Sequence, residues 1–499
     1  MTLSTFFPDE LDYGLRLVQD LTRAGKLADA QARLDRLRQL APPAGADPRI
    51  DLVEVDVATA RGQRDRALAA ADRAAAAAER LHGDLLVARA REQTCALLQD
   101  AGRFDDALAA CRDGLDRFEA AGDRGGVAGA AASLAVLLIR YQKYDEARAP
   151  AARALAIYRD IGSQSGVAMV TSRIALAYAY VGDLAHAERD MTEAVALYHE
   201  ANEPSREAMV LHNLASVMTE QGKLADAERA YRRTVEGAHA ADMRELETLA
   251  LANLAVNLLR QGELSEARSS ARSAVALSRE TGDARRMVFA LATLGQILLR
   301  MGELDDARKA IEEARDKGDE IGATATPVGQ YLAELTAAEG DLEGAEALAR
   351  RAAADYRQKK MAIGEVYALT VDARLLFRLG RTADATEAST RMRTLAEQIG
   401  FDHVREEVAA PLALARAASG DVPGAITDLE SAIAQSARLH LVDANLAQRL
   451  VLGGLEYQRG RPAAAHRILA DLEVEARRRG FHQLVKEIQA LRSVTTTAR

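Results

Sequence analysis

Between Ser205 and Gln221 (SREAMVLHNLASVMTEQ) apolar side chains return every three or four residues, the spacing that lines up one face of an α-helix. No proline interrupts the run. Gly222 predicts its end, because glycine enters the left-handed conformation after a helix without a steric penalty. A second helical run follows from Asp226 to Ala241. The short connection predicts two antiparallel helices, a hairpin with arms of roughly equal length.

The same hairpin recurs along the chain. Gly25, Gly62, Gly102, Gly182, Gly222, Gly262, Gly302, Gly340, Gly380, Gly420 and Gly460 each precede an alanine by five residues, and Gln142 takes the glycine place before Ala147. The intervals are 37, then 40 six times, then 38, then 40 three times. A fixed period of this size marks a solenoid, in which each unit buries its apolar face only against its neighbours. Eight residues before the glycine stand Leu134, Ile174, Leu214, Leu254, Leu294 and Leu332; seven before stand Cys95, Ala135, Ala175, Ala215, Ala255, Gly295 and Ala333. A large residue beside a small one predicts a knob next to a slot where another helix comes close. Ala107, Ala147, Ala187, Ala227, Ala267 and Ala307 supply the matching small position on the second helix.

This pattern resembles the tetratricopeptide repeat: leucine, a small residue, an aromatic or aliphatic residue three further on, a glycine, then alanine five later. The resemblance runs over about residues 10 to 480. The usual repeat has about 34 residues, so six more would lengthen the two arms by nearly two helical turns in total. The early aromatic and closing proline of the motif are mostly absent, and the segments resemble the long variety of kinesin light chains, cell-polarity scaffolds and bacterial regulators. HEAT-type repeats share the period but do not require the glycine–alanine signature. The resemblance implies an all-α, right-handed superhelical solenoid of about twelve hairpins, more than one superhelical turn. Residues 1–40 form the first repeat, 41–48 (APPAGADP) a proline-rich joint, 49–320 repeats two to eight, 321–480 repeats nine to twelve, and 481–499 a capping helix (about Gln483 to Arg492) and tail. The segment Ile321–Gly329 (IGATATPVG) reads as a looser turn between repeats, ahead of the alternative of a hinge between half-arrays.

Composition narrows the function. With 8 Phe, 12 Tyr and no Trp, the chain relies on alanine, which favours helices and lets their axes approach. A net charge of −9 and the lack of a lysine- or arginine-rich block argue against nucleic acid as a partner. Cys95 and Cys111 are too few for a disulfide framework and fit a reducing cytosol, with Cys95 in the small slot as an alanine substitute. The start MTLSTFFPDELD lacks the basic and apolar regions of a secretory leader. The apolar run Gly125–Ile139 is too short for a bilayer, so a cytoplasmic protein without a membrane partner is expected.

No phosphate-binding loop, nucleophile elbow or HExxH helix occurs, so no catalytic, cofactor or metal residues are assigned. Paired carboxylates such as Asp105–Asp106 sit at the start of second helices, where anions stabilise exposed amides. In the resembled family the first helices line the concave surface. Positions 13, 10, 6 and 3 before the glycine share a stripe predicted to face that groove. The stripe contains Met169 and Leu176; Met209 and His212; Leu249 and Val256; and Phe289 and Gln296. Nine before the glycine, Arg173, Asn213 and Asn253 lie beside it, and the resemblance implies that such asparagines bond a peptide backbone. Two before it, Arg260 and Arg300 belong to a discontinuous basic row. An apolar trough rimmed by amides and guanidiniums suits a protein or peptide carrying apolar side chains and an acidic group. The expected function is a non-enzymatic protein- or peptide-binding scaffold. The alternatives are a peptide-sensing regulator of an effector supplied in trans, and an oligomer built through the end repeats.

Overall fold

The computed structural model describes residues 7–23, 25–322 and 327–497, and the stretch read for a leader therefore lies partly outside the described residues. Among the described residues there are twenty-five α-helices, one short 3-10 turn and no strand. Twelve pairs form hairpins, and a last helix, His482–Thr497, follows. The unit read first from sequence is Pro204–Glu220 followed by Leu224–Ala240. Its turn residue, Gly222, has φ +75°.

Left-handed residues also occur where no glycine is present. Gln142 holds φ +59° in the place of the turn glycine, and His82, Asn202, Asp242, Lys360 and His440 do the same in the turns between hairpins. A side chain in this conformation is strained by roughly 1–2 kcal/mol relative to glycine. Gln142→Gly is therefore expected to raise stability by about 1 kcal/mol, seen as a higher thermal midpoint; an equal or lower midpoint would contradict the register.

The slots are filled as the pattern requires. Ala215, Ala255, Ala227 and Ala267 are fully buried. A Cβ added to Gly295 would overlap Ile311 on the second helix of its hairpin. The segment 41–48 folds as a 3-10 turn, Ala44–Ala46, followed by Asp47, whose carboxylate accepts from the Arg49 amide at 2.9 Å and caps Pro48–Ala60. Of the Ile321–Gly329 segment, 323–326 lie outside the described residues; the next first helix, Val328–Ala338, has only 11 residues against 17 in most others.

Two compact units divide the chain, Met1–Glu203 and Pro204–Arg499. Both irregular segments lie inside a unit, and nothing in the 40-residue period marks the division. Each unit is a stack of hairpins in which first helices pack side by side. In the first unit Arg173 donates to Ser133 Oγ, one repeat earlier, at 2.9 Å. In the second, Asn257 donates to Thr219 at 3.4 Å. The two cysteines depart from expectation: Cys95 and Cys111 face each other across one hairpin, Cα atoms 5.1 Å apart, and are joined in a disulfide. A separation of 16 residues brings the slot position of one arm onto the other. Cysteine usage thus gives no support for a reducing compartment.

Candidate ligand groove

The first helices of Met1–Glu203 line a cavity of about 600 Å³. Its lining follows the repeat register: Asp12, Arg16 and Gln19 from the first repeat, Arg49, Val53 and Asp56 from the second, and Arg89, Glu92 and Gln93 from the third. These stand 13, 10, 9 or 6 residues before the repeat glycine. In the fourth repeat Gly129 occupies the thirteenth position, and Gly125 and Gly126 complete the wall with Asp123 and the Phe118 ring, which lies against Gly126. These residues were not singled out from sequence, although the register that marked the middle repeats would have found them.

Two carboxylates of this groove, the half-buried Glu92 and the more exposed Asp56, are partly desolvated by its walls. Burial pushes the Glu92 pKa up, opposed by Arg173, a hydrogen bond with Ser133, and Arg89. Burial raises Asp56 as well, against a hydrogen bond from Gln93 at 3.3 Å. Arg49 is held by Asp47 and by Asp12 at 2.7 Å. Among the described residues neither Arg16 nor Arg89 has an ion pair, and Arg89 lies in the field of Glu92. Both guanidiniums are exposed.

The residues expected to bind a partner are distributed differently. In the first unit Met169 packs against the core, Arg173 is spent on Ser133 and Glu92, and Leu176 is 51% exposed. In Pro204–Arg499, Met209 is exposed, while Asn213, Leu249, Val256, Phe289 and Gln296 are half-buried. His212 corrects the expected stripe. It is 6% exposed, lies edge-on to Tyr231 and is 3.5 Å from Asn253 Nδ2, and burial lowers its pKa to about 4. Ala252, Leu259, Ala292 and Leu299, at the same positions 10 and 3, are buried too. Adjacent first helices approach closely on that side, so positions 13 and 6 keep more exposure than 10 and 3, as does position 9 at Asn213 and Asn253 but not at the buried Thr293.

Arg260 and Arg300 of the basic row are already paired. Arg300 donates to Glu334 at 2.6 Å and to Asp443 at 3.2 Å, although Asp443 is 143 residues further along. Arg260 donates to the Tyr367 hydroxyl at 3.2 Å. Burial opposes the charge of both arginines, but Tyr367, Glu220 and Glu407 around Arg260, and Asp443 and Glu334 around Arg300, hold their pKa values up. Burial in turn pushes the Tyr367 pKa up to about 12 and raises Glu407. The contacts arise because turns of the unit's early repeats meet its last ones: Gly222 lies against Leu439, Gly262 against Val442, and Gly302 against His482. Leu224, Leu441 and Ala444 form an apolar cluster there.

Comparison with known proteins decides the family. The sequence model of the MalT-like TPR region matches residues 245–499, more than half of the chain, and a tetratricopeptide-repeat model matches residues 166–238. The chain belongs to the tetratricopeptide-repeat family. Among solved structures, this tetratricopeptide-repeat protein is similar to the apo form of the quorum sensor NprR from B. thuringiensis, at 12% identity and a TM-score of 0.49, over 78% of this chain and 99% of that one. It is also similar to a signal-transduction ATPase with a tetratricopeptide-repeat sensor from Pyrococcus horikoshii, at 14% identity and 0.47, over 68% and 52%. Yeast Tom70 matches at 14% identity and 0.41, over 90% and 96%. No curated protein sequence is similar enough to count as a relative. Among the described residues of this tetratricopeptide-repeat protein, no helix is long and apolar enough to cross a membrane, and no group of three or more His, Cys, Asp and Glu could hold a metal ion.

Proposed function

We propose that this tetratricopeptide-repeat chain is a non-enzymatic scaffold that binds an extended peptide or a partner's extended segment. The observation that carries the reading is the first-helix groove of Met1–Glu203. Its volume of about 600 Å³ suits a few residues of extended chain. Arg16 and Arg89 offer charge-assisted bonds to an acidic group, Gln19 and Gln93 offer amides, and Leu15 and Leu52 give apolar floor. Asn213 and Asn253 remain candidate backbone contacts on the second unit, beside Met209, Leu249 and Phe289.

Selection from a random peptide library against the full chain, followed by calorimetry with the best binder, tests this. Arg16→Ala with Arg89→Ala is expected to weaken binding ten- to a hundredfold, the loss of one or two charge-assisted bonds. Asn213→Ala with Asn253→Ala asks the same of the second unit. If neither pair changes the affinity, the first-helix faces are not the binding surface.

One observation favours the regulatory reading beside it. In Pro204–Arg499 the arginines that an acidic ligand would seek are held by Asp443, Glu334 and Tyr367. A ligand capturing them would release contacts between the early and late repeats, a change that an effector in trans could read.

A further inference from the structure

The seam position eight before the repeat glycine holds Leu or Ile in nine of the twelve repeats; the others carry Glu54, Thr94 and Asp372. All three are buried. Glu54 is satisfied by Arg38, by Arg66 at 2.7 Å and by Arg73 at 2.5 Å. Thr94 donates to the Ala90 carbonyl at 2.9 Å. Asp372 is different: 6% exposed, it has one carboxylate oxygen, Oδ1, with no hydrogen-bond partner. The arginine matching Arg73, Arg391, donates to Glu365 instead, at 3.0 Å.

Asp372 lines a cavity of about 480 Å³. It lies between Leu342–Gln358, Ala362–Arg378 and Thr382–Ile399, all within the second unit. Ala353, Leu369, Leu376 and Ala388 form apolar walls, and Asp372 lies at the floor with Glu346. Four arginines line or rim it, each tied to a carboxylate of the chain: Arg350 to Glu346, Arg357 and Arg391 to Glu365, Arg381 to Asp384 and Glu346. Among the described residues, Asp372 and the exposed Glu387 are the lining charges without an ion pair or side-chain hydrogen bond.

We propose that this cavity receives a lysine side chain presented by a polypeptide, its alkyl stem along the apolar walls and its ammonium donating to Asp372. The chemistry of the site matches an amphipathic stem with a cationic end. A buried carboxylate lacking a partner destabilises the fold that carries it, and such sacrifices of local consistency concentrate at functional sites. The site is separate from the first-helix groove and does not depend on it. Burial first, then Glu346, raises the Asp372 pKa to about 6, against Arg350 and Arg381. A raised carboxyl pKa means that its contribution to stability is complete below the unfolded value near 3.8 and is lost as pH rises through about 6.

The test uses the full chain at pH 7.5 with three probes: a lysine-containing pentapeptide, the same peptide with its lysine Nε-acetylated, and n-butylamine. Calorimetry is expected to detect the lysine peptide at least tenfold tighter than either of the others, and to lose it in Asp372→Leu and Asp372→Asn. Without any probe, Asp372→Leu is expected to melt several degrees above wild type at pH 7.5, with a smaller difference at pH 4. Failure of the lysine peptide to bind, equal binding of the acetylated peptide, or binding retained in Asp372→Leu would overturn the site. Butylamine binding as tightly as the peptide would overturn the polypeptide source, and a leucine variant melting below wild type would make Asp372 structural.

Discussion

Arg300→Ala is expected to destabilise Pro204–Arg499 by about 3–5 kcal/mol, the usual loss when one partner of a buried ion pair is removed. The Arg300 side chain is only 19% exposed, and those of Glu334 and Asp443 are 13% and 21% exposed. Arg300 and Arg374 hold the Glu334 pKa down against burial, so the carboxylate would remain charged and without its nearest cation. Arg300→Lys should lose less, because an ammonium keeps the charge but cannot reach both acids in the same planar fork. Denaturant unfolding of the full chain, followed through this unit's transition, measures the difference. A loss below about 1 kcal/mol would mean that the arginine is solvated in solution and that the pairing behaves as a surface one.

Ala255→Leu should cost about 1–3 kcal/mol through overpacking, with the same expected of Ala215→Leu. Both slots have no exposed surface, and a neighbouring repeat uses glycine in the equivalent place. A suitable comparison is Ala225→Leu at an exposed position of the following helix, which should change little. Glu228 does not serve for that purpose, since it binds Arg232 at 2.9 Å and Gln261 at 3.0 Å. Equal unfolding midpoints for the slot and exposed variants would show that the seam is misplaced.

The hairpins were legible because their causes are local. Gly222 needs a left-handed turn, Ala215 must be small beside Leu214, and both requirements recur at a fixed spacing. Even Gln142, which breaks the glycine rule, was placed by the period alone. The groove was legible only in part. Including position 10 in the groove stripe put His212 on the surface, because sequence does not reveal on which side adjacent first helices approach. The partners of Arg260 and Arg300 were out of reach for a different reason. They depend on a small rotation per repeat accumulating over several repeats, until Asp443 arrives beside Arg300. Extending the leucine series one repeat past Leu332 would have marked Asp372, but its unpaired oxygen required the neighbouring helices to be in place.

The meeting of Gly222, Gly262 and Gly302 with Leu439, Val442 and His482 changes what the ends of this stack are. In an open array the terminal repeats have one neighbour each and fray first, so protection from hydrogen exchange falls toward both ends. Here the last helices borrow neighbours from the first repeats of the same unit. Opening at either end must then give up contacts at both, and the unit is expected to show even protection from exchange at its two ends, as a closed loop would.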